Sequence, residues 1–195
     1  MSLRPDLAVI AGHVPAGARV LDIGCGDGEL MAVLQGERGV DARGLEIDPG
    51  EVAKAVARGL SVVQGDADRD LVNYPDGAFD YAILSQTLQT AERPDRMLEQ
   101  LLRVGRRAFV SFPNFAYWRM RMSLLFNGRM PVTRHLPVSW YETENIHHLT
   151  IADFEALVAE KGVKVEKSWF FTSEREVGAA GANWRAEYAV YQLSR

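Results

Sequence analysis

Three glycines, Gly24, Gly26 and Gly28, alternate directly behind an apolar run that ends in Asp22, and a helix-like segment from Glu29 to Leu34 follows them. This is the build of a nucleotide-binding turn, because glycine lets the backbone fold tightly and approach a ligand with no Cβ in the way. Two further acids fall where such a turn needs them. Glu46 closes the strand-like run 41–46, and Asp66 closes the run 60–66. Ser85 ends a fourth run, and Ile47 and Ala67 stand next to the second and third acids.

The spacing separates two classes of ligand. A dinucleotide needs G-x-G-x-x-G, with a helix N-terminus facing a pyrophosphate. Here the third small position of that pattern is Glu29, a carboxylate where phosphate would lie. S-adenosylmethionine has no phosphate and carries a cationic sulfonium and an ammonium, so Asp22 beside the first glycine is welcome. Glu46 suits two ribose hydroxyls and Asp66 an adenine amino group. The residues therefore favour S-adenosylmethionine or S-adenosylhomocysteine over NAD(P).

The elements that must hold these residues alternate. Strand-like runs are expected at 19–23, 42–47, 61–64, 79–84, 107–112, 163–172 and 187–193. Helices are expected at 6–13, 29–35, 49–57, 93–104 and 151–161, the fourth from the spacing of Met97, Leu98, Leu101, Leu102 and Val104. Such alternation predicts an α/β fold, a mostly parallel sheet with helices on both faces. Ligands of these sheets bind beyond the carboxyl ends of the strands, where Asp22, Glu46, Asp66 and Ser85 all fall.

The segment 113–150 breaks the pattern and reads as an insertion after strand five, rich in aromatics and arginines. Between Glu99 and Glu142 there is no acid but seven arginines: Arg103, Arg106, Arg107, Arg119, Arg121, Arg129 and Arg134. That stretch carries +7 and leaves −11 for the remainder, given the net charge of −4. Arg119, Arg121, Trp140, Tyr141 and His147 are the candidates for substrate or partner contact, as a lid over the pocket or as an interface. The competing expectation is a packed helix over 116–126 with solvated arginines. Cys25 has no basic neighbour in sequence and reads as a small residue beneath the ligand rather than a nucleophile. His147 and His148 are adjacent, so on a strand they point to opposite faces, and no metal site is expected.

At 195 residues, 47% hydrophobic and 25% charged, the chain has the profile of one globular domain, expected to span 1–195. One cysteine, no apolar run of about 20 residues and no signal-peptide layout at the N-terminus lead to a cytoplasmic expectation without membrane anchorage. The acidic balance argues against nucleic acid as a partner.

The stretches Val20–Gly28, Gly44–Asp48, Gly65–Ala67 and Phe79–Ser85 resemble the motif series of class I S-adenosylmethionine-dependent methyltransferases. More narrowly, the chain from Arg4 to about Phe170 resembles the methionine biosynthesis protein MetW family. That resemblance is carried by Leu84–Gln89, Arg93–Leu98, Ser111–Phe115, Gly128–Thr133 and Trp140–His147. It implies a Rossmann-like fold with seven strands, the last ones antiparallel. It also implies cofactor contacts at Asp22, Gly24, Cys25, Gly26, Glu46, Ile47, Asp66, Ala67 and Ser85, and homoserine O-acyltransferase as a partner. Many small-molecule methyltransferases of this fold carry an acid and a histidine just beyond strand four. Here those positions are Gln86, Thr87, Leu88, Gln89 and Thr90, and amides cannot act as general bases. Two functions follow, a cofactor-binding partner of an acyltransferase or a methyltransferase acting on a small anionic or thiol acceptor. No catalytic residue is assigned.

Overall fold

A computed structural model describes residues 3–132 and 139–195. Thr133, Arg134 and His135, part of the motif and basic segment read from sequence, lie outside the described residues. The elements run α1 (Pro5–His13), β1 (Arg19–Ile23), α2 (Glu29–Arg38), β2 (Asp41–Glu46), α3 (Pro49–Ala57), β3 (Ser61–Gln64), α4 (Ala67–Asp70), β4 (Phe79–Ser85), α5 (Pro94–Val104), β5 (Gly105–Pro113), α6 (Trp118–Asn127), α7 (Ile151–Glu160), β6 (Lys164–Thr172), β7 (Arg175–Val177), α8 (Ala182–Arg185) and β8 (Tyr188–Ser194). Short 3₁₀ turns follow α4 (Leu71–Asn73) and β4 (Leu88–Thr90).

The strands form one sheet in the order β3-β2-β1-β4-β5-β8-β6-β7. The first five are parallel, with Asp22 of β1 paired to Gly44 on one side and Ile83 on the other. β8 runs antiparallel to both β5 and β6. The order reverses direction at β1, and the crevice between β1 and β4 is where a doubly wound sheet binds its ligand.

The sheet has eight strands where seven were expected. The extra one, β7, is a three-residue edge strand that turns back on β6 through Ser173, whose φ is 54°. So short an edge strand leaves no periodic signature in the sequence.

Both faces of the sheet are covered. On one, Leu7 and Ile10 of α1 and Leu30, Met31 and Leu34 of α2 pack with Val20, Ile83 and Phe109. On the other, Met97, Leu98 and Leu101 of α5 and Phe154 and Val158 of α7 pack with Leu21, Leu84 and Val110. Neighbouring strand residues such as Val20 and Leu21 enter opposite clusters, as the two-residue period requires.

Local chemistry sets the helix ends that matter for the site. Asp48 caps α3 by accepting from the amides of Gly50 and Glu51, with Pro49 in the first turn. Thr150 and Asp153 close a capping box on α7. Gly39, with φ 59°, ends α2.

The run of arginines does not form one face. Arg103 donates to the carbonyls of Tyr74 and Leu71, both at 2.7 Å, and pairs with Asp76. Arg106 pairs with Asp80, and Arg107 donates to the Tyr81 hydroxyl at 3.2 Å. Those contacts lie at the amino ends of β4 and β5, whereas α6, which carries Arg119 and Arg121, follows the carboxyl end of β5. Arg103, Arg106 and Arg107 are thus separated from Arg119 and Arg121 by the length of β5.

Candidate functional site

A cavity of about 670 Å³ opens at the carboxyl ends of β1, β2, β3 and β4. All nine residues expected to meet a cofactor line it: Asp22, Gly24, Cys25, Gly26, Glu46, Ile47, Asp66, Ala67 and Ser85. The glycine turn is shaped by its backbone. Gly24, Gly26 and Gly28 have φ of 68°, 54° and 79°. A Cβ on Gly24 would stand 2.5 Å from Thr87 Oγ1, and one on Gly28 would collide with Leu60. A Cβ on Gly26 would meet no atom within 4 Å, so that glycine presents bare backbone to open space.

Asp22 is 3% exposed, and its carboxylate has no hydrogen-bond partner among the described residues. Burial pushes its pKa up to about 7, the Glu46 carboxylate adds to the rise, and the Arg4 guanidinium opposes it. Burying a carboxylate without a hydrogen-bond partner is costly, and Asp22 has none among the described residues.

Glu46 is tied down. Its Oε2 accepts from the Gly26 amide at 2.8 Å, and its Oε1 accepts from the amides of Ile47 at 2.8 Å and Asp48 at 2.9 Å. The acid expected to receive ribose hydroxyls also fastens the glycine turn to the end of β2. Asp66 caps α4 through the Asp68 amide and pairs with Arg69 at 3.3 Å, while its own amide donates to Asp70. Glu29 is the first residue of α2 and lines the cavity, which sets a carboxylate where a pyrophosphate would need a cationic end.

Cys25 packs on the bare backbone of β2, for a Cβ at Gly44 would stand 2.5 Å from its sulfur. Burial and the charges of Asp22 and Glu46 drive its thiol pKa well above the ordinary range. A thiol held protonated in this way is a poor nucleophile.

The expected contacts of the insertion do not join this cavity. Among the described residues, Glu144 is the part of 113–150 that lines it. Arg119 lies over the Trp118 ring, its guanidinium carbon 5.3 Å from the centroid. Arg121 donates from Nε to the Ala116 carbonyl at 2.6 Å and stacks on Trp184. Trp140 and Tyr141 are 73% and 70% exposed. His147 lines a separate apolar cavity of about 190 Å³ with Leu88, Pro94 and Phe154. Its amide donates to Gln89 at 3.0 Å, and its buried Nε2 has no partner among the described residues. His148 packs edge-on against Phe115 instead. The expectation of a helix over 116–126 is met by α6 at Trp118–Asn127.

A polar cluster at the rim was not foreseen. Asp6, 1% exposed, accepts from the hydroxyls of Ser85 at 3.0 Å and Ser111 at 3.1 Å, with Arg4 Nη2 3.4 Å away. Arg4 and Leu7 line the cavity as well. Beyond β4, Gln86 has φ 53° and lines the cavity, and the buried Gln89 donates to the Gln86 carbonyl at 2.6 Å.

The strand order, the glycine turn and the acids at the ends of β1, β2 and β3 define a class I S-adenosylmethionine-dependent methyltransferase fold. The chain belongs to the methionine biosynthesis protein MetW family, whose model matches residues 4–193. It is 34% identical over 180 residues to the bifunctional methionine biosynthesis protein MetXA/MetW of Rhodopirellula baltica, covering 88% of this chain but 29% of that one. It is also 34% identical over 108 residues to a demethylmenaquinone methyltransferase of Thermus thermophilus, covering 50% of this chain and 49% of that one. Among solved structures, an S-adenosylmethionine-dependent methyltransferase from Mesorhizobium loti superposes with a TM-score of 0.72 at 19% identity, covering 98% of each chain. One from Archaeoglobus fulgidus gives 0.72 at 16%, covering 97% and 91%. No helix among the described residues is long and apolar enough to cross a membrane.

Proposed function

We propose that this chain binds S-adenosylmethionine or S-adenosylhomocysteine in the main cavity and acts in methionine biosynthesis by supporting a homoserine O-acyltransferase. The single observation that carries the cofactor reading is Asp22, a buried carboxylate in an open cavity with no hydrogen-bond partner among the described residues. The residues fit the ligand's chemistry. Asp22 would meet the cationic amino-acid end, Glu46 the ribose, Asp66 the adenine edge, and Gly26 would allow close approach. Cys25, Ile47, Ala67 and Ser85 would complete the wall. When bound, S-adenosylmethionine offers an electrophilic methyl group.

What the chain's own residues do with that group is restrained. The edge after β4 presents Gln86, Thr87 and Thr90 to the cavity, and none of these takes a proton from an acceptor. The lining carries many carboxylates, a field that repels an anionic methyl acceptor. Both features favour binding over turnover. The name of the Rhodopirellula relative, which joins MetXA and MetW in one chain, supports an acyltransferase partner. The whole chain, 1–195, serves as one cofactor-binding domain in this reading, with 113–150 as the segment that meets the partner.

The experiment is homoserine acylation by the O-acyltransferase of the same organism, with and without an equimolar amount of this chain, beside a calorimetric titration of the chain with S-adenosylhomocysteine. A rise in acylation and saturable binding are expected. Unchanged acylation with no complex on gel filtration would end the partner reading.

A further inference from the structure

Helices α5 and α7 bury one face against the sheet, and α6 does not. Among its described residues Met120 alone is buried, while Leu125 and Phe126 are 70% and 77% exposed and Leu124 is exposed beside them. Three consecutive apolar residues spread over about 200° of a helix, so they form no one-sided stripe that the protein's own sheet could take. The exposed Met130 and Val132 extend the apolar surface beyond the helix. Single exposed apolar residues are ordinary, but a run of them on one element marks a contact.

The first turn of α6 is fixed and its last turn projects. Met120 is buried, and Arg121 donates to the Ala116 carbonyl and stacks on Trp184. After Asn127 the chain turns back through Gly128, whose φ is 58°, and the Arg129 carbonyl accepts from the Ser123 hydroxyl at 3.3 Å. Arg129 therefore lies alongside the end of the helix, and it is exposed. Arg119 stands two turns before Phe126, on the same side of α6. The helix holds these two arginines, 119 and 121, and no acid.

These charges decide what can cover the apolar surface. A twofold contact with a second copy sets the same patch opposite itself, arginine against arginine, at a cost in repulsion. A lipid surface takes a helix with one apolar and one polar face, whereas here Arg119 shares a side with Phe126. A protein cleft with an apolar floor and carboxylates at its margin satisfies both the apolar residues and the cations. We propose, resting on the reading of a homoserine O-acyltransferase as partner, that α6 enters such a cleft on that enzyme as a helix in a groove. Leu125 and Phe126 are its anchors, and Arg119 and Arg129 its cationic rim. No residue of α6 lines the main cavity, so the contact leaves the cavity open.

The test is calorimetric titration of the O-acyltransferase of the same organism with the unaltered full chain, with the double variant Leu125→Ser, Phe126→Ser, and with Arg129→Glu. The double variant is expected to lose at least about thirtyfold in affinity, the size of a buried aromatic anchor. Its unfolding midpoint should stay unchanged, since both side chains are exposed in the free chain. Arg129→Glu should lose about tenfold at low salt and less at high salt. A double variant that binds the enzyme as the unaltered chain does would overturn the proposal. So would a dimer of the unaltered chain in sedimentation, or its binding to phosphatidylserine vesicles, that the double variant abolishes, for each sets another occupant on α6. If the unaltered chain and the enzyme form no complex, the partner reading falls and takes this contact with it; a complex that survives the double variant removes α6 alone.

Discussion

The carboxylate of Glu46 accepts a hydrogen bond from the amide of Gly26 at 2.8 Å, joining the end of β2 to the glycine turn after β1. Two chain segments 20 residues apart close on each other through a group that also faces the cavity. The acid therefore has a structural part beside any role toward ribose.

Glu46→Ala releases three backbone donors from their partner. We expect a stability loss of about 2 kcal/mol in urea unfolding, because part of each donor is recovered by water. S-adenosylhomocysteine binding should be lost as well. Retention of full affinity would remove Glu46 from the ligand site.

Asp22 should make both stability and binding depend on pH. Its folded pKa of about 7 lies above the unfolded value of 3.8. The folded state therefore holds the proton longer, and the contribution of Asp22 to stability declines as pH rises from about 4 to about 7 and is flat above. Asp22→Asn should remove that slope and leave the protein more stable at pH 8 by on the order of 2 kcal/mol. Affinity for an ammonium-bearing ligand should run the other way in the unaltered protein, rising about tenfold per pH unit up to about 7 and then levelling. In Asp22→Asn it should be weak and independent of pH.

Cys25 should be inert in the folded protein. Burial and two neighbouring carboxylates keep the thiol protonated. Its reaction with iodoacetamide at pH 8 should be slower than that of the unfolded chain by at least about tenfold, since the thiolate is the reactive form. Equal rates would mean that the glycine turn opens freely in solution.

Asn114 joins three segments, and its side chain is fully used. Nδ2 donates to the carbonyls of Ala186 and Asn183 at 2.8 and 3.1 Å, and Oδ1 accepts from the amides of Ala116 and Ile151 at 3.0 and 3.3 Å. Asn114→Ala should cost about 3 kcal/mol in chemical unfolding, since buried backbone groups lose their partners. A loss below about 1 kcal/mol would show that water replaces the side chain.

Arg119 and Arg121 should separate in a charge-reversal test of the partner reading. Arg121 is engaged with Ala116 and Trp184, so Arg121→Glu disturbs the start of α6. Arg119 is exposed and touches Trp118, so Arg119→Glu should cost less than about 1 kcal/mol of stability. We expect Arg119→Glu to weaken the complex with the acyltransferase while leaving S-adenosylhomocysteine affinity unchanged. An unaltered complex would remove this end of α6 from the interface.

Much of this architecture was legible from pattern alone. Ser61–Gln64 and Pro49–Ala57 occupy the spans that composition and proline placement predicted, and the acids at strand ends surround one cavity because parallel strands end on the same side. The Arg4–Asp6–Ser85–Ser111 cluster was not legible, since it joins residues 79 and 105 positions apart with no local signature. Charge counting misled for a related reason. Arg103, Arg106 and Arg107 sit at the amino end of β5 and Arg119 beyond its carboxyl end, so a strand's length divides what sequence proximity seemed to unite. His147 left the main cavity because residues 146 and 147 dock by their amides on the Gln89 carbonyl.

The position of β8 bears on how the chain matures during synthesis. It follows the other seven strands of this sheet in sequence, yet it lies between β5 and β6. Until residues 188–194 leave the ribosome, β5 and β6 each show an unpaired edge to the cell, and Asn114 lacks the carbonyls of Asn183 and Ala186. The parallel half of the sheet, with its glycine turn, has its pairing partners much earlier. Nascent chains stalled before β8 should therefore be the aggregation-prone and chaperone-bound species, while mature protein is not.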